Sequence, residues 1–266
     1  MKDDYTPTLI HGDFFRDYKN HLKAKQTDLF LSDLPYGIFD KEKSLSVSNI
    51  DPVIDIEELE NVLDYIVTVT GNVLLFCDFE LLIKLKQSLQ VFEYRYHYVL
   101  EKSLSMPRGN TRPINVIEYL AVFKRKTTKV SDIYFDPYHG DPGKPYTKKN
   151  VNLENPLRRQ VKRSVDKNEF GKRWIKTVIQ IPSKCNLPKS ERSSHKFQKP
   201  EFLLRKMILI HSKPGSLVVD GFAGSGSTLL SAFKEKRRST GFEIHEQYYF
   251  EAQERIDNCT KQLELV

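Results

Sequence analysis

The chain has 266 residues, 39% of them hydrophobic, which is enough for one substantial core with a smaller inserted module. Its 42 Lys plus Arg against 35 Asp plus Glu give a net charge of +7, which favours a polyanionic partner. The chain has three scattered cysteines, which argues against a disulfide framework and a cysteine metal site. It has no apolar run of membrane-spanning length and its start does not resemble a signal peptide, so we expect a cytoplasmic protein.

Short apolar runs alternate with segments of helical spacing over residues 1–123. This alternation is typical of an α/β domain with a mostly parallel sheet. The pattern predicts strands at residues 9–10, 28–32, 72–77, 94–100 and 116–123, with helices at 56–69 and 80–89.

Positive charge is concentrated after Phe123. Residues 124–200 contain 20 Lys plus Arg and only 7 acids, with aromatic residues among them. We therefore expect three parts: residues 1–123, an irregular basic insert at 124–194, and residues 195–266, where regular structure returns. Basic residues interleaved with aromatic ones suit phosphate contact combined with base readout, although a solvated charged loop would show the same composition.

The last third predicts a βαβ unit around a glycine-rich turn. Helical spacing at 201–211 precedes a buried strand at 216–220, the turn Gly221 to Gly226, a helix at 227–236, a strand at 238–243 and a closing helix at 247–256. Gly224 and Gly226 let a ligand approach the backbone, and Glu243 ends the next strand, where a carboxylate can accept hydrogen bonds from ribose hydroxyls. The sequence lacks the third glycine of a dinucleotide fingerprint and the Gly-Lys pair of a P-loop. A nucleoside site and a turn without a ligand both stay open.

Asp33-Leu34-Pro35-Tyr36 follows a buried strand, which places it at the edge of the sheet where ligands bind. An amino group of a nucleic-acid base is a poor nucleophile, and acceptors on its two protons favour attack on a methyl group. The Asp33 carboxylate and the Leu34 carbonyl can be those acceptors, with Pro35 restricting the turn and Tyr36 offering a face for a flipped base. An Asp-Pro turn with a surface tyrosine is the alternative.

The order of these motifs resembles that of the permuted β group of amino-methyltransferases, in which the catalytic turn precedes the cofactor turn. Asp33 to Tyr36 resembles their Asp-Pro-Pro-Tyr motif, and Asp220 to Thr228 resembles their Asp-Pro-Phe-x-Gly-Ser-Gly-Thr-Thr loop. His195 to Glu201 resembles a His-Pro-Thr-Gln-Lys-Pro segment over the cofactor, and Gly12-Asp13 resembles a pair that contacts its adenine. Leu34, Gly221 and the pair Lys196-Phe197 depart from these patterns.

The resemblance implies a Rossmann-like methyltransferase fold with helices on both faces of a mixed, mostly parallel sheet, and a target-recognition insert at 124–194. It implies catalysis by Asp33, Leu34, Pro35 and Tyr36. It implies S-adenosylmethionine as the cofactor, bound by the following residues: Asp13, Lys199, Asp220, Phe222, Ala223, Gly224, Ser225, Gly226 and Glu243. Glu118 resembles a family acid near the base pocket, although a charged strand edge would explain it nearly as well.

The resemblance further implies duplex DNA as the partner, with the target base flipped out. Asp at position 33 favours adenine N6 as the acceptor, since Ser is more usual among the cytosine-N4 enzymes. Cytosine N4, an RNA base and a catalytically silent relative are the alternatives, and a homodimer is left open.

Overall fold

The structure is a computed structural model that describes residues 5–35, 54–103, 113–139, 143–149, 165–168, 171, 173–189, 191–195 and 198–264. Of the predicted site residues, Tyr36 lies outside this part of the chain. So do Lys196 and Phe197.

The described residues form strands and helices in the following chain order: β1 Thr8–His11, α1 Phe14–His21, β2 Thr27–Asp33, α2 Ile56–Ile66, β3 Val67–Cys77, α3 Phe79–Ser88, β4 Phe92–Lys102, β5 Ile117–Arg125, β6 Tyr146–Lys149, β7 Val165–Asn168, β8 Val178–Ile181, α4 Glu201–His211, β9 Leu217–Asp220, α5 Ser227–Lys234, β10 Arg238–Glu243 and α6 Glu246–Glu264. Short 3₁₀ helices lie at Val130–Asp132 and Lys184–Asn186. None of the helices in these ranges is long and apolar enough to cross a bilayer.

Eight strands form one sheet in the order β1-β10-β9-β2-β3-β5-β4-β8. The run from β1 to β3 is parallel throughout, whereas β5 is antiparallel to both β3 and β4. The C-terminal strands β9 and β10 therefore lie between the N-terminal strands β1 and β2. This order confirms the predicted mostly parallel α/β sheet and places the late strand β9 beside the early strand β2 in its interior.

Helices cover both faces of the sheet. One apolar cluster joins residues of α1, α2 and α3 to inward-facing side chains such as Phe30 and Phe242. A second cluster joins α5 and α6 to Leu9, whose neighbour Ile10 packs against the first cluster. Because successive strand residues point to opposite faces, these clusters lie on opposite sides of the sheet.

The structure corrects the predicted helix at 56–69. Helix α2 ends at Ile66, and Val67 already begins β3, whose register passes from Thr27↔Val67 to Leu29↔Asn72 through an irregularity. The β-branched run Val67-Thr-Val-Thr70 favours extended backbone over a further helical turn. The closing helix α6 is longer than predicted and reaches Glu264.

The chain divides into two compact units, one comprising Met1–Phe135 with Thr177–Val266 and the other Asp136–Lys176. The second unit is narrower than the predicted insert at 124–194, because β5 continues to Arg125 and β8 pairs with β4 in the main sheet. Within the second unit, β6 pairs with β7, and Tyr138 packs edge-on against Trp174 with ring centroids 6.1 Å apart.

Candidate active site

The carboxyl ends of the parallel strands bring together the chemistry-bearing residues. Asp33 ends β2, Asp220 ends β9 and Glu243 ends β10, on three adjacent strands. Ligands bind at this edge of open α/β sheets. The early acidic turn and the late glycine turn, predicted from residues almost 200 positions apart, therefore share one rim.

Glu243 is tied to the glycine turn by its carboxylate. Its Oε2 accepts a hydrogen bond from the Gly224 N–H at 2.7 Å, and its Oε1 accepts one from the His245 N–H at 2.8 Å. Gly224 and Gly226 have φ angles of +49° and +70°, which favour glycine, and Gly226 is the N-cap residue of α5. The Ala223 N–H donates to the Phe242 carbonyl at 2.8 Å. The turn and the acid thus form one hydrogen-bonded loop.

The start of α1 lies beside this turn. The Asp13 carboxylate accepts a hydrogen bond from the Phe15 N–H at 3.0 Å and so caps α1. The centroid of the Phe222 ring lies 5.9 Å from the ring centroids of both Phe14 and Phe15. Helix α1 therefore packs its first turn against the start of the glycine loop.

Gly221, where the family motif has proline, is explained by Phe14. A Cβ added at Gly221 would lie 2.8 Å from Phe14 Cδ1 and 2.9 Å from its Cε1. Phe14 is almost fully buried, with its ring against Phe30 and Phe242, so it has little room to move. Only glycine fits at position 221 without displacing that ring.

Asp220 links the two motifs. Its Oδ1 accepts hydrogen bonds from the Ser32 hydroxyl at 2.6 Å and from the Phe222 N–H at 3.1 Å. Burial raises the pKa of the Asp220 carboxyl to about 6, even though these bonds and one from Thr228 favour its charged form. Ser32 immediately precedes the predicted catalytic acid, so this contact fixes the end of β2 against the end of β9.

Asp33 stands at the end of β2 with its side chain 23% exposed. Leu34, in place of the family's first proline, is buried in the cluster beneath α1 to α3, which anchors the turn by packing. Pro35 is half-buried.

Lys199, predicted to contact the cofactor, directs its ammonium to two carboxylates. Its Nζ lies 2.8 Å from Asp33 Oδ2 and 2.6 Å from Glu118 Oε1. Burial alone would lower the pKa of Lys199, but the two carboxylates outweigh burial and raise it above its ordinary value. Glu118 reaches this point because β5 runs antiparallel to β3 and begins at the rim, where Tyr119 pairs with Cys77. Glu118 therefore lies next to Asp33 through their shared Lys199 partner, and its place near a base pocket stays a prediction.

The segment before α4 is attached to the glycine loop. The Gln198 amide nitrogen donates to the Glu191 carbonyl at 2.6 Å and to the Ser227 hydroxyl at 3.4 Å. Arg255 of α6 donates to the Ser225 carbonyl. The His195 ring approaches Gly224, since a Cβ there would lie 3.0 Å from His195 Nε2. These contacts bring the third predicted motif to the same rim.

Sequence reasoning missed Ser32, Lys102 and Arg255. A hydroxyl inside the apolar run before Asp33 was a usable signal for Ser32, because a buried polar group needs a partner. Lys102 lies 3.3 Å from Glu118 Oε2, a contact that depends on the pairing of β4 with β5 and leaves no local signal.

The fold defines the class of this protein: it is an α/β methyltransferase fold, in which the predicted catalytic turn and the predicted nucleoside turn share one rim. The chain belongs to the DNA methylase family, whose members act on adenine N6 or cytosine N4, and the family model matches residues 27–254. The family predicted from the motif order is therefore confirmed.

Individual similarities are local in sequence and extensive in fold. "DNA adenine methyltransferase YhdJ" of Escherichia coli K12 is 42% identical over 67 residues, which are 25% of this chain and 23% of that protein. The M1.HpyAVI–SAM complex has a TM-score of 0.63 at 22% identity and covers 94% of this chain and 99% of its own. The cytosine-N4-specific PvuII DNA methyltransferase has a TM-score of 0.62 at 13% identity, and the match covers 96% of this chain and 90% of that enzyme. The matched segments span a quarter to a third of the first curated relatives, and the two solved structures support the fold alone.

Gly221→Ala should lower the free energy of unfolding by about 1–3 kcal/mol, because the added methyl overlaps the rigid Phe14 ring. Urea unfolding of four proteins measures this: the parent, Gly221→Ala, Phe14→Leu and the double variant. The loss caused by Gly221→Ala should be smaller in the Phe14→Leu background. Equal losses in both backgrounds would contradict the proposed overlap.

Proposed function

We propose that this protein is a DNA adenine-N6 methyltransferase that transfers a methyl group to an adenine flipped out of the duplex. The observation that carries the proposal is the shared rim, where Asp33 stands two strands from Glu243 and Ser32 binds Asp220. Membership of the DNA methylase family supports a base amino group as the acceptor.

The cofactor is S-adenosylmethionine, which the family membership and the cofactor-bound solved relative support. The residues fit it, because each Glu243 oxygen accepts one backbone N–H and retains a second lone pair for a ribose hydroxyl. When bound, the cofactor supplies an electrophilic methyl group. Asp13, Phe222 and the turn Ala223 to Gly226 would surround its nucleoside, with Asp220 fixing the start of that turn.

Asp33 and Leu34 would activate the acceptor. The Asp33 carboxylate and the Leu34 carbonyl would each accept a hydrogen bond from the amino group, which favours the charge that develops on its nitrogen during attack. Pro35 would restrict the turn, and Tyr36 would stack on the extruded base. The buried Leu34 side chain supports this arrangement by holding the turn against the core.

Duplex DNA is the proposed partner, and the unit Asp136–Lys176 is the proposed contact. Its sequence contains 11 Lys plus Arg and 5 acids. Trp174 and Tyr138 are 64% and 50% exposed, so they offer aromatic faces beside basic residues. This combination suits phosphate contact with base stacking. Whether the protein forms a homodimer stays open.

Cytosine N4 is the second candidate acceptor. The similarity of fold to the cytosine-N4-specific PvuII enzyme favours it, whereas Asp at position 33 favours adenine. Both bases present an exocyclic amino group, so the same two acceptors would serve either.

The decisive assay incubates the protein with labelled S-adenosylmethionine and mixed-sequence duplex DNA, with structured RNA as a matched substrate at the same salt. After digestion to nucleosides, we expect label in N6-methyladenine. Label in N4-methylcytosine would favour the second candidate, and label in RNA would change the partner. Cofactor binding without transfer to either nucleic acid would identify a silent relative.

Asp33→Ala should abolish transfer and leave the dissociation constant of S-adenosylmethionine within a few-fold of the parent, because Asp33 acts on the base. Glu243→Ala is the matched variant and should weaken cofactor binding instead. Calorimetric titration measures the dissociation constant of S-adenosylmethionine for each variant, and the labelling assay measures methyl transfer. Loss of cofactor binding in Asp33→Ala equal to its loss of transfer would show that the roles are wrong.

Trp174→Ala should weaken binding of duplex DNA at least about fivefold, since base stacking on an aromatic ring is worth about 1–3 kcal/mol. Fluorescence anisotropy at fixed salt measures the affinity. Phe250→Ala is the matched control, because Phe250 on α6 is also an exposed aromatic residue, with 59% of its surface accessible. This substitution should leave the affinity for duplex DNA unchanged. Equal effects of the two substitutions would refute a specific contact by Trp174.

A further inference from the structure

A compact cluster of opposite charges lies at the catalytic end of β2. Lys199 Nζ is within 2.8 Å of Asp33 Oδ2 and 2.6 Å of Glu118 Oε1, and Lys102 Nζ is 3.3 Å from Glu118 Oε2. The Lys199 and Glu118 side chains are only 11% and 8% exposed, so water screens the pair weakly. Phe76 of β3 lies beneath the ammonium, with its ring centroid 4.8 Å from Nζ.

The position of the ammonium distinguishes two possible roles for Lys199, binding the cofactor and orienting Asp33. An ammonium has three N–H donors, and here two are directed to carboxylates on β2 and β5, away from β10 and Glu243. If either of these two donors bound the cofactor instead, a carboxylate would lose its partner in a poorly hydrated site. Breaking such a pair is unfavourable, so the observed contacts favour a role toward Asp33.

We propose that Lys199 is a positioning residue for methyl transfer, whose ammonium keeps the Asp33 carboxylate charged and oriented toward the base. The inference rests on the proposed function of Asp33 as the acceptor for the amino group. It replaces the cofactor contact that the sequence predicted for Lys199. The Asp33 carboxylate is then set by a partner almost 170 residues later in the chain.

The surroundings of Asp33 explain why a cation is needed there. Without Lys199, Asp33 would stand near the carboxylates of Glu118 and Asp220, and the Lys102 ammonium lies on the far side of Glu118, 3.3 Å from its Oε2. Like charges favour uptake of a proton, and a protonated carboxyl is a poorer acceptor for an amino proton. Among the described residues, the titratable and charged groups at this point are Cys77 at the end of β3, Asp78 directly after it, Lys102 on β4, Glu118 on β5, Asp220 on β9 and Lys199 before α4.

Lys199→Met tests the role. At neutral pH its kcat should fall about 100-fold, a loss typical of misplaced catalytic groups, while the dissociation constant of S-adenosylmethionine changes less than about threefold. The acid limb of kcat against pH should move up by about one pH unit or more, so that raising the pH restores part of the activity. Lys199→Arg keeps the charge and should retain more activity than Lys199→Met.

Two further variants act as controls. Lys199→Met with Glu118→Gln removes the neighbouring carboxylate too, so the acid limb should return toward that of the parent. Lys25→Met removes a Lys–carboxylate pair with Asp64 at the opposite end of β2 and should leave the pH profile unchanged. Urea unfolding of every variant shows which variants are folded. If Lys199→Met alone does not fold, the pH profile of the double variant is compared with that of the parent instead.

A second measurement does not depend on methyl transfer. In protein labelled with ¹³C at aspartate carboxyl groups and assigned with Asp33→Asn, the Asp33 titration midpoint should be higher in Lys199→Met than in the parent. If the parent transfers no methyl to DNA, the proposed function fails while this titration still decides the inference. An unchanged Asp33 midpoint, or a tenfold loss of cofactor affinity with an unchanged pH profile, would overturn it.

Discussion

The pairing of β2 with β9 is the constraint on which the site depends. Phe30 is in register with Val219, and two residues further along β2 the Ser32 hydroxyl donates to the carboxylate of Asp220. This buried contact between an early and a late strand brings the acidic turn beside the glycine loop. A shift of register by one residue would turn Ser32 and its neighbours to the opposite faces of the sheet.

Packing beneath the rim compensates for departures from the family motifs. Where the family has a proline after Asp220, Phe14 occupies the space that a Cβ would need, so the loop is shaped by a neighbouring ring. Where the family has its first proline in the catalytic turn, the buried Leu34 side chain anchors the backbone instead. At position 34 an apolar contact therefore takes over a restraint that proline supplies through its fixed φ angle, whereas at position 221 the Phe14 ring leaves no room for a side chain.

Electrostatics divides the rim into two regions. Around Glu243, backbone N–H groups of the glycine loop satisfy the acid, and the same loop would face a nucleoside. Around Asp33, side-chain ammonium groups satisfy the acids, and the base would approach there. Neutral donors suit a carboxylate that binds hydroxyls, whereas a cation keeps a carboxylate charged in a poorly hydrated site among other acids.

The sequence by itself determined the α/β class, the order of the motifs and the strand ends that carry Asp33, Asp220 and Glu243. It could do so because apolar periodicity, glycine turns and terminal acids are local signals. Only the tertiary structure decided that Lys199 meets Asp33 and Glu118, that Gly221 faces Phe14, and that β8 rejoins the main sheet. These contacts join residues tens to almost two hundred positions apart, so their partners are set by strand order and register, which no local pattern specifies.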